Sequence, residues 1–196
     1  ACCGHAFAAI DAALALRERH GLKPGEIKRV SVGGYSAMID TCGGKRHSTP
    51  FEGKFSLAYL IATALVHGSV RLDAFTDERL NEPATASLID RVDLYLDPEV
   101  DAAFPGARSA RIKIETVDGT ALEHFQAMRK GDPDMMPLSD DEVSAKFSEL
   151  VAPVAGYGVA QALLERCWSL KILSSVRDLP MASSETWERR YARGRI

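Results

Sequence analysis

Long basic stretches and membrane-length apolar runs are both missing from this sequence. The net charge is −3 at pH 7, and basic clusters such as residues 45–47 are short. Such a charge balance makes nucleic acid an unsuitable partner. The longest apolar run, Leu57 to Val66, reaches about half of the roughly 18 residues that a membrane span requires. We therefore expect this run to form a buried helix, and we expect no contact with a membrane.

Cysteine is scarce as well, with four in the chain. Cys2 and Cys3 are adjacent, a spacing that does not match the C-x2-C pairs of zinc sites. No signal or transit peptide is recognisable. We therefore expect reduced thiols and a cytoplasmic protein. The alternative is a metal site built from Cys2, Cys3, His5 and Cys42.

The residues that are present predict helices that alternate with short strands. Apolar residues recur at helical spacing from Cys3 to Leu14, and Gly21 supplies a left-handed cap that ends this helix. Alternation around Val30 predicts a half-buried strand. Residues 40–53 are polar and rich in glycine, which predicts a long loop of the kind that often carries function.

A β-hairpin is predicted around Asp118-Gly119, a pair that favours a two-residue type I′ turn. Closure at this turn would pair Ile114 with Glu123. From residue 131 onward the pattern predicts helices only, beginning with a capping box at Ser139. The order of elements indicates an α+β fold, with a small and mostly antiparallel sheet packed against helices.

The predicted domains are residues 1–130, which hold the sheet, and residues 131–196, a helical segment. Two helices cannot bury both of their faces by themselves. We therefore expect the second segment to dock on a larger helical domain and an exposed apolar patch to mark the docking surface.

Three stretches resemble the MmgE/PrpD family. They are "CCGHAFAAIDAALALRERHGLKPGEIKRVSV", "TPFEGKFSLAYLIATALVHGSVRLDAFTDERLNEP" and "GDPDMMPLSDDEVSAKF". The family includes 2-methylcitrate dehydratases, cis-aconitate decarboxylases and iminodisuccinate epimerases. The resemblance implies a two-domain enzyme whose smaller α+β domain is a lid over the cleft of a larger helical domain. This chain would then supply the lid and the returning helices, and its first residue would follow a cut.

The partners implied by this resemblance are the missing N-terminal helical domain, a small polycarboxylate substrate and a second copy of the chain in a homodimer. No metal or organic cofactor is implied. The expected activity is that of a 2-methylcitrate dehydratase, with decarboxylation and epimerisation as rivals because all three reactions pass through carbanion-like charge next to a carboxylate. A non-catalytic binding or dimerisation module is the alternative from another class.

Two residues are predicted to be catalytic, His5 and Lys54. Histidine can move a proton near neutral pH, and Lys54 is a cation beside an apolar block that could hold a carboxylate. The alternatives are a helix-cap histidine and a solvated lysine. Phe7 stands where many relatives of the family carry a histidine. If that histidine is the working one, either this protein has lost it or His5 substitutes for it.

Five further residues are predicted to bind substrate. Cys3 and Gly4 precede the first helix, where free N–H groups and the helix dipole favour an anion. Lys45, Arg46 and His47 lie on the predicted loop and could bind or gate the anion, the alternative being a solvated mobile loop.

Overall fold

The computed structural model describes residues 2–175 together with 177 and 179. These residues divide into two compact units, one ending at Pro137 and the other beginning at Leu138. The first unit contains helices α1 (Phe7–His20), α2 (Ser36–Cys42), α3 (Pro50–Lys54), α4 (Leu57–His67), α5 (Asp77–Leu80), α6 (Pro83–Ile89) and α7 (Pro98–Ala103), and strands β1 (Ile27–Gly34), β2 (Val92–Leu96), β3 (Ala110–Thr116) and β4 (Ala121–Gln126).

The four strands form one mixed sheet in the order β2-β1-β3-β4. β1 runs parallel to β2, with Val30 opposite Val92, and antiparallel to β3, with Val32 opposite Ile112. β3 and β4 form an antiparallel hairpin. Two of the three strand pairs are therefore antiparallel, and the prediction of an α+β fold with a mostly antiparallel sheet is confirmed.

The core of the first unit lies between the sheet and helices α1 and α4. The run from Leu57 to Leu65 is buried along its whole length, as the apolar sequence predicted. α1 contributes mainly small residues to this core, among them Ala9, Ala12 and Ala13, and these allow close approach of its neighbours. Both helices end at a glycine in the left-handed region, Gly21 at φ 61° and Gly68 at φ 73°, where a Cβ would be strained.

The prediction of one long loop over residues 40–53 is wrong. α2 continues to Cys42 and α3 begins at Pro50, so the irregular stretch covers only residues 43–49. Thr49 caps α3 by accepting a hydrogen bond from the Glu52 N–H at 3.2 Å. A threonine cap followed by proline in the first turn is a helix-start signal, and the glycine content of the segment obscured it.

The predicted two-residue turn is also wrong by one position. Gly119, at φ 89°, donates its N–H to the Thr116 carbonyl at 3.0 Å, and the Thr116 N–H donates to Thr120 at 2.9 Å. The loop therefore comprises residues 117–119, and Ile114 lies opposite Leu122. A three-residue loop with glycine at its last position is the next hairpin solution after the two-residue turn, and here it aligns two apolar residues.

The second unit contains α8 (Asp140–Ala155) and α9 (Tyr157–Trp168). The predicted capping box is present: Ser139 Oγ accepts from the Glu142 N–H at 3.2 Å, and Glu142 Oε2 accepts from the Ser139 N–H at 2.9 Å. Only Ala152 and Ala160 are buried among the described residues of these helices. Residues beyond 179, which the predicted segment 131–196 includes, lie outside the described part of the chain.

Among the described residues, no helix combines the length and apolar character that crossing a membrane requires.

Candidate functional site

The segment before α1 is a 3₁₀ turn, Gly4–Ala6, preceded by Cys2 and Cys3. The Cys3 N–H donates a hydrogen bond to the Lys54 carbonyl at 3.0 Å, which joins this turn to the end of α3. The backbone segments that carry the two predicted catalytic residues are therefore neighbours. The same bond uses an N–H that we had expected to be free for an anion. Apart from its two chain neighbours, no atom of the described residues lies within 4 Å of where a Cβ on Gly4 would be.

The His5 ring packs into an aromatic cluster, named here the His5 cluster, that comprises His5, Tyr35 and Phe104. The charge of Arg108 acts on this cluster. His5 Nδ1 lies 2.8 Å from Tyr35 Oη, and the two rings meet edge to face. Tyr35 is fully buried and stacks on Phe104 with ring centroids 4.4 Å apart. The chain turns directly from β1 into α2 at Tyr35, which holds the phenol under the start of α1.

Electrostatics in the His5 cluster keep its titratable rings neutral. Burial, assisted by the positive charge of Arg108, holds the pKa of His5 below its ordinary value. Burial raises the pKa of Tyr35 to about 12, although Arg108 opposes this shift. Desolvation disfavours the charged form of either group, so His5 is a neutral imidazole and Tyr35 a neutral phenol near neutral pH.

Arg108 itself is half-buried. Within the described residues, no hydrogen bond or ion pair to its guanidinium group is found. Sequence reasoning missed Tyr35, Phe104 and Arg108. The only signal for Tyr35 was its place after Gly33-Gly34 at the end of a predicted strand, and nothing in the local pattern distinguished Arg108 from other surface arginines.

The cysteines pack against the core beside the His5 cluster. Cys42 is buried, and burial together with a hydrogen bond to the Cys3 side chain raises the pKa of its thiol well above the usual range. Burial raises the pKa of Cys2 to about 11. Neither thiol is therefore primed as a nucleophile. Across residues 2–175, 177 and 179, no three His, Cys, Asp or Glu side chains are arranged to hold a metal ion.

Lys54 points to a second aromatic group, named here the Lys54 cluster, that comprises Lys54, Phe75, Tyr59 and His47. Lys54 Nζ lies 5.5 Å from the centroid of the Phe75 ring, a cation–π distance. The His47 ring stacks on Tyr59 with centroids 5.3 Å apart and planes 9° from parallel. Tyr59 is buried and donates its hydroxyl hydrogen bond to the Ala74 carbonyl. These contacts fix the position of the Tyr59 ring on which His47 stacks.

The structure thus places the seven predicted site residues in different surroundings. His5 contacts Tyr35 and Phe104, whereas Lys54 and His47 border the rings of Tyr59 and Phe75. The Lys45 and Arg46 side chains are exposed on the irregular stretch 43–49, where the Lys45 carbonyl lies 3.1 Å from His47 Nδ1. Phe7 is the first residue of α1 and is partly buried. The catalytic and binding roles of the predicted residues stay predictions.

The chain is similar to a family of known proteins and to a curated member of it. The model of the MmgE/PrpD C-terminal domain matches residues 1–170. A cis-aconitate decarboxylase-like protein of Aspergillus oryzae, oryM, is 35% identical over 137 residues, which are 69% of this chain and 27% of the relative. The chain therefore spans about a quarter of the length of this curated relative.

Proposed function

Since the chain belongs to the MmgE/PrpD family, as the match to its C-terminal domain shows, we propose that it contributes one wall of an active site for a small di- or tricarboxylate. The observation that carries this proposal is the hydrogen-bonded pair of His5 and Tyr35 at 2.8 Å. Arg108, whose guanidinium has no partner among the described residues, acts on the charge of both. A neutral imidazole beside an available cation suits a substrate that carries several carboxylates.

Decarboxylation and dehydration of such acids face the same chemical difficulty. In decarboxylation the C–CO₂ bond breaks, and its electron pair stays on a carbon that must then accept a proton. In dehydration a base removes a proton from the carbon next to a carboxylate, and hydroxide leaves as water with a proton from an acid. Donors fixed at the place where this charge develops lower both barriers. In the proposed site, His5 and Lys54 provide two of these groups.

Two reactions are the leading candidates. The printed name of the Aspergillus oryzae relative, a cis-aconitate decarboxylase-like protein, favours decarboxylation of a cis-aconitate-like acid. The three stretches that resemble the family led us to prefer dehydration of a 2-methylcitrate-like acid, with epimerisation of an iminodisuccinate-like acid as a further rival. Assigning one of these reactions requires a direct assay of products.

We also propose that the other wall of the site comes from a helical domain of a longer protein. The matched family model is that of a C-terminal domain, and several large apolar side chains of the second unit are exposed, among them Val143, Tyr157 and Trp168. A helical partner domain and a second copy of the chain in a homodimer are the expected occupants of such surfaces. The four free cysteines favour a cytoplasmic location.

The decisive experiment assays the native-length protein with cis-aconitate and with 2-methylcitrate, following release of carbon dioxide and formation of the C=C bond separately. We expect turnover of one of these acids and a fall in kcat of about 100-fold or more for His5→Ala, because removing one hydrogen-bond donor fixed at developing charge typically costs at least that much. His20→Ala is the matched control, since His20 is exposed at the other end of α1. Loss of Lys54 in Lys54→Met should raise KM for the same acid.

The results also distinguish the enzyme from a non-catalytic module. If the native-length protein turns over one of these acids and His5→Ala leaves the rate unchanged, His5 is not part of the active site. A complete lack of turnover with every small polycarboxylate tested would instead favour a binding module, a role that the replacement of a family histidine by Phe7 also favours.

A further inference from the structure

The hydroxyl of Tyr35 needs a hydrogen-bond partner, because the whole residue is buried. Among the described residues, its one partner is His5 Nδ1, at 2.8 Å. Two arrangements satisfy this distance. Either the Tyr35 O–H donates to an unprotonated Nδ1, or a protonated Nδ1 donates to the phenol oxygen.

The second arrangement leaves the Tyr35 O–H buried without an acceptor, which costs about 1–3 kcal/mol. The first arrangement leaves only lone pairs of the phenol oxygen unused, and unused acceptor capacity is tolerated more readily. Both rings are neutral near neutral pH, since burial lowers the pKa of His5 and raises that of Tyr35. A neutral imidazole that accepts at Nδ1 carries its single proton on Nε2.

The Nε2 side of His5 is available for a ligand. His5 is only partly buried, and no bond from Nε2 to another described residue is found. Arg108 is close enough to disfavour a positive charge on His5, and its guanidinium has no partner within the described part of the chain. Within the described residues, two donor groups that influence each other electrostatically, one neutral and one cationic, are therefore both without an acceptor.

We propose that Tyr35 holds His5 as the neutral Nε2–H tautomer, so that His5 Nε2–H and the Arg108 guanidinium together bind one carboxylate of the substrate. This inference rests on the function proposed above. It makes Tyr35 a positioning residue, Arg108 a substrate-binding residue and His5 a hydrogen-bond donor. The group that removes a proton from the substrate then lies elsewhere, because Nε2 already carries one.

A guanidinium group suits this role for a geometric reason. It presents two parallel N–H donors that match the two oxygens of a carboxylate. A neighbouring imidazolium would add charge, but the positive charge of Arg108 opposes protonation of His5. A neutral imidazole avoids this electrostatic cost and still donates one hydrogen bond, which makes the pair stable before substrate arrives.

The tautomer is tested without any turnover. In the native-length protein labelled with ¹⁵N-histidine, long-range ¹H–¹⁵N correlation spectra identify the protonated ring nitrogen, and His5→Gln assigns the His5 signals. We expect the proton on Nε2 in the wild type and a mixture of tautomers in Tyr35→Phe. Tyr95→Phe is the matched control, because this half-buried tyrosine of β2 has no hydrogen bond from its hydroxyl within the described residues. A proton on Nδ1 in the wild type at pH 7.5 would overturn the proposal.

The carboxylate site is tested with citrate as the probe, titrated while the His5 Nε2 signal is followed. We expect Arg108→Gln to weaken citrate binding about tenfold or more and to raise the pKa of His5, because the positive charge that opposes its protonation is removed. Arg29→Gln, which removes an exposed guanidinium paired with Asp93, should change neither value. Unchanged citrate affinity in Arg108→Gln would overturn the role of Arg108.

These measurements separate the inference from the proposed function. If the native-length protein turns over no polycarboxylate while the Nε2–H tautomer and the Arg108-dependent citrate site are found, the proposed function fails and the inference stands as a binding site. If turnover is found with a different tautomer, the inference fails alone.

Discussion

Arg108 and Arg111 are close neighbours in the sequence, yet the structure surrounds their guanidinium groups differently. Arg111, on β3, donates to Asp97 at 2.8 Å, to Glu99 at 2.6 Å and to Glu123 at 3.1 Å. The Phe125 ring lies 4.9 Å from its guanidinium carbon. Arg108 has no such partner among the described residues, and its charge acts on His5 and Tyr35.

The difference separates a cation that stabilises the fold from one that is available to a ligand. Asp97 is buried and caps α7 by accepting from the Glu99 and Val100 N–H groups, so its charge requires the compensation that Arg111 supplies. A half-buried guanidinium without compensation adds nothing comparable to stability. Such a group is a candidate for binding an anion.

The largest effect that this comparison predicts is on stability. Arg111→Met should lower the free energy of unfolding by about 3–5 kcal/mol, because it leaves the Asp97 carboxylate buried and unpaired. Urea denaturation followed by circular dichroism measures the change. Lys28→Met is the control: Lys28 and Glu115 form an exposed pair, and exposed pairs contribute far less to stability than buried ones. Equal losses in the two variants would contradict the structural role of Arg111.

Much of this fold could be predicted from sequence because its signals are local. The apolar run of α4 and the capping box at Ser139 each depend on residues within a few positions of one another. The errors arose where two local signals competed. Asp118-Gly119 favours a two-residue turn, but the pairing of Ile114 with Leu122 selects the longer loop, and this preference comes from side chains on two strands.

The His5 cluster could be predicted only in part, because it is assembled from distant segments. His5 was found from its place before α1, whereas Tyr35 follows β1 and Arg108 precedes β3. Neither has a spacing that points to His5. That Arg108 has no partner among the described residues is a property of the folded chain, and no sequence pattern records it.

A second prediction concerns the partner of Arg111. Burial alone would raise the pKa of Asp97, but hydrogen bonds from Arg111 and the α7 N–H groups hold it below its usual value. Asp97 therefore adds stability that is present above its unfolded pKa of about 3.9 and is lost as the pH falls through its folded pKa.

Asp97→Asn should accordingly cost about 2 kcal/mol at pH 7, the usual size for a hydrogen bond to a charged group. The difference in free energy of unfolding between wild type and variant should narrow as the pH falls below about 4. Urea titrations at several acid pH values measure this difference. A difference in free energy of unfolding that stays constant below about pH 4 would show that the Asp97 charge does not contribute to stability.

A third prediction is that Arg108→Met leaves the free energy of unfolding within about 0.5 kcal/mol of wild type, as substitutions that break no paired interaction usually do. The same variant should lose citrate affinity. A loss of stability comparable with that of Arg111→Met would mean that Arg108 is a structural cation as well.

The smallest expected effect is the pH dependence that His5 contributes to folding. Its folded pKa lies below its unfolded value of about 6.5, because of burial and then Arg108. At a pH just below the unfolded pKa, the unfolded chain therefore binds more protons than the folded chain. Stability falls as the pH decreases from about 6.5 toward the folded pKa. In His5→Gln, the free energy of unfolding, measured by urea denaturation, should decline less steeply between about pH 7.5 and pH 5.5 than in wild type. Arg108→Gln should give an intermediate slope, because it removes one of the two causes and leaves burial in place. His20→Ala, at an exposed position, should leave the wild-type slope, and equal slopes in all four proteins would contradict a perturbed His5.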